Sequence, residues 1–260
     1  MKKFIYNIKK YKNYMLYSAK SALKADVATS RLNWLWWILN PFLFMLVYTF
    51  VSLIVFGKGE KFFPIFVFIA LNLWNFFSAC VNKSVRLVKK NKSTISKVYL
   101  PKYILIFTVM LEEGFKMCVA FVLVIIVLPI YRVPVTPRAF LAIFVIIVLL
   151  IFTYAISALV LNLGVYIDDL ANIVTVLLRL VFYMSGIFYD VIKRVPKPYN
   201  KYMLNGNPMA LMIRSMRNCI LYEKMPHMKM LLVWLVVSIG LAFIGTHLIT
   251  KHENSYVKLI

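Results

Sequence analysis

Six stretches of the chain are almost wholly apolar, and each approaches the roughly 20 residues a helix needs to cross about 30 Å of hydrocarbon. They cover residues 35–56, 62–81, 103–128, 139–161, 170–189 and 229–249. Backbone groups in lipid must bond within their own segment, so this pattern predicts an all-α integral membrane protein of six transmembrane helices. Asn40 and Pro41 fall inside the first stretch, where proline is expected to kink the helix.

The polar segments between these stretches predict the rest. Phe4, Ile8, Tyr11, Met15, Ala19 and Ala22 keep helical spacing while Lys9, Asn13, Lys20 and Lys24 face elsewhere. Residues 1–33 therefore read as a basic amphipathic helix in the membrane interface, closed by the ring belt of Trp34, Trp36 and Trp37. Residues 57–61 form a tight outer turn, and 129–138, with three prolines, an outer loop. Residues 162–169 return to the inner side. Residues 190–228 read as an extracytoplasmic segment that is more than a simple loop, with a short helix dipping into the outer leaflet. Within it Asn207-Pro208 has the chemistry to cap and start a helix striped by Met209, Met212, Met216 and Ile220. The chain reads as one membrane domain over 1–260, with no internal repeat.

Residues 83–102, KSVRLVKKNKSTISKVYLPK, carry seven Lys/Arg and no acid. Short loops this basic stay on the cytoplasmic side, which sets both termini inside. Val81, Val85 and Val88 share one helical stripe and Lys83, Arg86 and Lys90 another, so the first half of this island reads as a short amphipathic helix. Ser93, Thr94 and Ser96 loosen the chain, and Pro101 suits a new helix start. Eight further Lys/Arg lie between Asp190 and Met230, on the side where positive charge is unexpected. Arg214 and Arg217 there are candidates to line an exit for an anionic cargo, with binding to anionic lipid as the plainer cause.

Composition narrows the function classes. With 62% hydrophobic residues, 15% charged and no basic domain apart from the spans, the formal charge of +22 points to membrane lipids and acidic partners, not nucleic acid. Cys80, Cys118 and Cys219 make no disulfide framework, and no cleavable signal peptide is visible. GxxxxGK[ST] and HExxH are both absent, and His227, His247 and His252 are scattered, so neither a P-loop nor a metal site is read. Asp168-Asp169 reads as a helix-start charge.

Charges inside spans are costly and mark pairing or function. Glu112 and Lys116 are spaced i,i+4 in the favourable order, which predicts a local ion pair. Arg179 lies at about the same depth as Glu112 and Glu113, roughly 15 Å in by helical rise, so a pair between spans is geometrically open. Aromatics make up 16% of the chain. Most such rings pack or anchor, but rings also suit a sugar tunnel, with Trp74, Phe76 and Tyr183 as candidates.

In order along the chain, SRLNWLWWILNPFLFMLVYTF (30–50), WNFFSACVNKSVRLVKKNKSTISKVYLPKYIL (74–105), LGVYIDDLANIV (163–174), FYMSGIFYD with NPMALMIRSMR (182–190, 207–217) and HENSYVKLI (252–260) resemble one family. It is the permease subunits of type-2 ABC exporters of O-antigen, capsule and teichoic-acid polymers. The resemblance implies a homodimer of six-span subunits in the bacterial cytoplasmic membrane, joined by two cytoplasmic ABC ATPase subunits that bind the ATP and Mg; this chain itself would hold no cofactor. It implies that the island is the coupling helix, with Lys83, Val85, Arg86, Val88, Lys89 and Lys90 at the ATPase. It also implies two short re-entrant helices within 190–228 before the last span, a lipid-linked polysaccharide as cargo and an aromatic-lined channel between subunits. A secondary transporter or channel would instead need matched broken helices, and a membrane-embedded sugar or lipid transferase an acidic or histidine cluster at one membrane face.

Overall fold

The computed structural model describes residues 2–28, 35–51, 61–134 and 136–259, and every regular element among them is helical. Arg31, Trp34, most of the turn expected at 57–61 and the far end of the first apolar stretch lie outside the described residues. The helices are α1 (Lys2–Lys10), α2 (Lys12–Val27), α3 (Trp36–Phe50), α4 (Phe63–Val85), α5 (Leu87–Lys90), α6 (Lys92–Ile95) and α7 (Lys102–Ile130). A 3₁₀ turn, Pro137–Phe140, leads into α8 (Leu141–Tyr166), followed by α9 (Leu170–Met184), α10 (Val191–Arg194), α11 (Tyr199–Gly206), α12 (Pro208–Ile220) and α13 (Met228–Leu259).

Among the described residues four helical segments are long and apolar enough to cross a membrane: Phe63–Val85, Lys102–Ile130, Pro137–Tyr166 and Met228–Glu253. They coincide with the second, third, fourth and sixth apolar stretches, and the chain is an integral membrane protein. The first and fifth stretches form shorter apolar helices, α3 and α9, of 15 residues each. Fifteen residues rise only about 22 Å. α9 stops at Met184, short of the expected Tyr189, because Gly186 turns the chain at φ +66°, a left-handed conformation that glycine adopts freely.

α4 is the centre of the bundle. It packs against α3, α7, α8, α9 and α12, and nearly all its side chains are buried. Ring packing fills the space around it: Trp74 lies 5.5 Å from Phe182, and Phe77 stacks on Phe152 at 5.4 Å. The most extensive helix pair is α8 with α13. Small residues let these backbones approach. A β-carbon on Gly245 would lie 2.8 Å from that of Ala158, and one on Gly164 only 2.1 Å from the carbonyl oxygen of Val85.

The N-terminal helix predicted as one element is two, α1 and α2, broken at Tyr11. Its apolar stripe packs toward the bundle, with Met15 and Ala19 buried, and α2 packs on α7. Asn7 donates to the Tyr103 hydroxyl at 2.8 Å, and the Tyr11 hydroxyl donates to the Tyr99 carbonyl at 3.1 Å, fixing both ends of the break.

Candidate functional site

The basic island folds as the last turn of α4 plus α5 and α6, and its two stripes separate cleanly. Val85, Leu87, Val88 and Ile95 point into the bundle, while Arg86, Lys90 and Lys97 are exposed. Val85 and Val88 were expected among the residues that meet a partner. The structure corrects this: both are buried, because an apolar stripe on a short helix beside a bundle is stabilised most by joining its core. The surface offered outward is the cationic one. Lys89 leans the other way and pairs with Asp168 on the turn before α9. The hydrogen bond from Lys89, and then its charge, hold the Asp168 carboxyl below its usual range. That pair is solvent-exposed and adds little to stability.

Lys83 does not belong to the exposed stripe. Its Nζ lies 2.5 Å from Glu112 Oε1 and 2.6 Å from Glu113 Oε1 on α7. Lys116, one turn further along α7, reaches the same two oxygens at 3.2 and 3.1 Å and Asp26 of α2 at 2.6 Å. Three carboxylates and two ammonium groups thus tie α2, α4 and α7 together. The predicted Glu112–Lys116 pair is present within it. The pair expected between Arg179 and these glutamates is not: both are satisfied by lysines, and Arg179 stands on the exposed face of α9. Among the described residues no three His, Cys, Asp or Glu side chains are grouped to hold a metal ion.

The segment 190–228 uses its cations differently. Asn207 caps α12, its side-chain oxygen accepting from Met209 N at 3.0 Å and Ala210 N at 3.3 Å, as the Asn-Pro pair predicts. Met209, Met212 and Met216 are buried beneath it. Arg217, read as an exit residue, is 3% exposed. Its guanidinium donates to the carbonyls of Phe66 (3.0 Å), Gly186 (2.8 Å) and Ile187 (2.6 Å) and sits 3.3 Å over the Phe66 ring. It is a pin holding α12 to α4 and to the turn after α9. Arg214 pairs with Asp190, which also caps α10 through Ile192 N, and its Nε donates to His227 Nε2 at 3.3 Å. Burial first, and then the Arg214 charge, hold the His227 imidazole below its ordinary value.

The aromatic candidates divide in the same way. Trp74 and Phe76 are core residues of α4, buried within the subunit, whereas Tyr183 is 68% exposed on α9. Sequence reasoning missed Lys83, Asp26 and Asp190 as partners, since each meets its counter-charge from a different helix.

Comparison with known proteins places this architecture. Over its full length, 100% of both chains, the protein is 24% identical to the O-antigen export system permease protein RfbA of Myxococcus xanthus. Two proteins of the same name from Klebsiella pneumoniae are 24% and 25% identical, each over 83% of both chains. Residues 16–221 match the family described as ABC-2 type transporter, well over half the chain. With that match on a bundle of apolar spans, the chain belongs to the ABC-2 type transporter family.

Proposed function

We propose that this chain is the membrane-embedded permease of an ATP-driven exporter that moves a lipid-linked polysaccharide, of the O-antigen, capsule or teichoic-acid type, across the cytoplasmic membrane. The observation that carries the reading is the end-to-end match to a protein named as an O-antigen export permease. In this proposal the chain crosses the membrane six times with both termini cytoplasmic, α3 and α9 serving as the first and fifth spans. The segment from α10 to α12 re-enters from the outer side.

Two copies form the export unit, joined by two cytoplasmic ATPase subunits that bind ATP and Mg²⁺. Support for the pairing comes from α9. Leu170, Val174 and Leu178 are its buried stripe, while Val176, Leu177, Leu180 and Tyr183 form an apolar face turned away from the subunit. Arg179 shares the exposed side, where a passing diphosphate or acidic sugar is a fitting counter-charge. The exposed cations of the island meet the ATPase, and closure of that partner displaces α5. The ion cluster around Lys83 then carries the displacement into α7 and α2 together, since breaking it would strand buried carboxylates.

Deleting the gene and complementing it with the intact chain tests the function. Cells without the chain should keep making lipid-linked polymer but hold it inside, with surface polymer lost by immunoblot of intact cells. Unchanged surface polymer, or failure to make the polymer at all, would overturn the reading.

A further inference from the structure

Away from the island and the outer segment, the bundle holds a cavity of about 860 Å³ between α1, the start of α7, α8 and the C-terminal half of α13. That lies within the roughly 300–1,000 Å³ range of sites that enclose an organic ligand. Its polarity is graded along the helices. Asn7, Tyr99 and Glu253 line the end beside the island, and Phe107, Leu111 and Phe243 line the far part. From Pro101 to Leu111 α7 rises about 15 Å, half of the roughly 30 Å hydrocarbon thickness, so the cavity spans one leaflet. Leu111 and Phe243 are exposed on its rim, the latter 66%, so it opens sideways toward the hydrocarbon.

The mouth is lined by one acid, Glu253, with the buried Lys102 behind it. Lys102 Nζ lies 3.4 Å from Glu253 Oε1 and 5.8 Å from the centre of the Tyr99 ring, whose hydroxyl donates to Glu253 Oε2 at 3.2 Å. Deeper in, the Tyr154 hydroxyl is spent on Thr246 at 2.8 Å and the wall is otherwise mostly hydrocarbon and ring, which gives water little to bond.

We infer that this groove is a phospholipid site: it takes one acyl chain of a zwitterionic lipid from the leaflet bordering the island. The ammonium of an ethanolamine head faces Glu253, which lines the mouth. A purely anionic head, such as that of a polyprenyl diphosphate, meets Glu253 unfavourably. The chain also seats α1, because Phe4 stands in the groove wall 5.0 Å from Tyr103 and 6.1 Å from Phe107.

The test uses the full-length chain in vesicles of phosphatidylethanolamine and phosphatidylglycerol, with a trace of phosphatidylethanolamine bearing a photoreactive group at mid-chain. Adducts should concentrate on peptides covering 103–111 and 239–247. Ala242→Trp, which fills the groove, should cut them about tenfold, the factor for losing the burial of two methylenes. Leu111→Trp, at the exposed rim, is a second filling variant should the first misfold. Glu253→Gln should erase the preference for this probe over a phosphatidylglycerol probe with the same chain. Adducts spread evenly over all spans, filling variants without effect, or stronger labelling by a polyprenyl phosphate probe would each overturn the assignment.

Discussion

The two arginine- and lysine-rich regions of this protein look alike in sequence and behave in opposite ways. In the island, Arg86, Lys90 and Lys97 remain in solvent because their neighbours supply the apolar stripe that the core needs. In the segment 190–228 the same residue type is drawn inside. Arg217 lies beside the turn after α9, where it donates to the carbonyls of Gly186 and Ile187 as well as to that of Phe66. A guanidinium presents five donors in a planar fork, and three of these contacts fit it. Counting cations along a chain therefore does not tell which of them stay in solvent. Whether a cation is a surface or a fastener depends on the carbonyls within its reach.

The largest effect should come from the fastener. Arg217→Gln leaves three buried carbonyls short of a charged donor, at about 1.5–3 kcal/mol per bond, so it should sharply lower the yield and thermal unfolding temperature of detergent-purified protein. Arg217→Lys should rescue little, because a single ammonium cannot reproduce the fork. Wild-type stability in Arg217→Gln would erase the contrast between the two regions.

Next comes the cluster that roots the island. Glu112→Gln with Glu113→Gln strands Lys83 and leaves Lys116 with Asp26 alone. Breaking a buried pair typically costs about 3–5 kcal/mol, but Lys83 is 37% exposed, so about 2 kcal/mol is expected. Adding Lys83→Met should recover part of the loss in thermal unfolding, and no recovery would mean that the lysine and the acids act separately.

A smaller effect concerns pH at the segment 190–228. The folded state holds His227 below its ordinary value of 6.5, so in the window beneath that value the unfolded chain binds a proton that the folded chain refuses. Stability should be full above about pH 6.5 and fall as the medium is acidified through it, by less than about 1 kcal/mol given solvent screening. Intrinsic fluorescence unfolding between pH 7.5 and 5.5 measures this slope, which His227→Gln should flatten.

Smallest for stability is the island surface. Arg86→Gln, Lys90→Gln and Lys97→Gln together should stay within about 0.5 kcal/mol per site, the usual range for exposed substitutions. In the proposed exporter the same triple change should uncouple ATP hydrolysis from export, measured as ATPase activity that no longer accompanies surface polymer. Val85→Ala should do the reverse, damaging folding first.

What could be read from the sequence follows from range. The long spans rest on hydrophobic runs within single segments, and the cap at Asn207 and the Glu112–Lys116 pair rest on spacings of a few residues, so all were legible. Lys83 finds Glu112 across 29 positions, and Arg217 finds Phe66 across 151. Nothing local announces such partners. Val85 and Val88 were legible as a stripe but not as to direction, because amphipathicity says that one face is buried without saying against what. Arg179 was matched by depth alone. Depth ignores the rotation of α9, which turns that side chain outward.

The missing side chain at Gly164 bears on stiffness. With the Val85 carbonyl where a β-carbon would stand, the base of the island and α8 meet backbone to backbone, with no soft rotamer between them. Interiors packed this closely compress little. α8 in turn meets α13 along the bundle's most extensive helix contact, with Gly245 against Ala158. The island, α8 and α13 thus form one stiff strut. α9 buries only three side chains along its length and stands outside that strut.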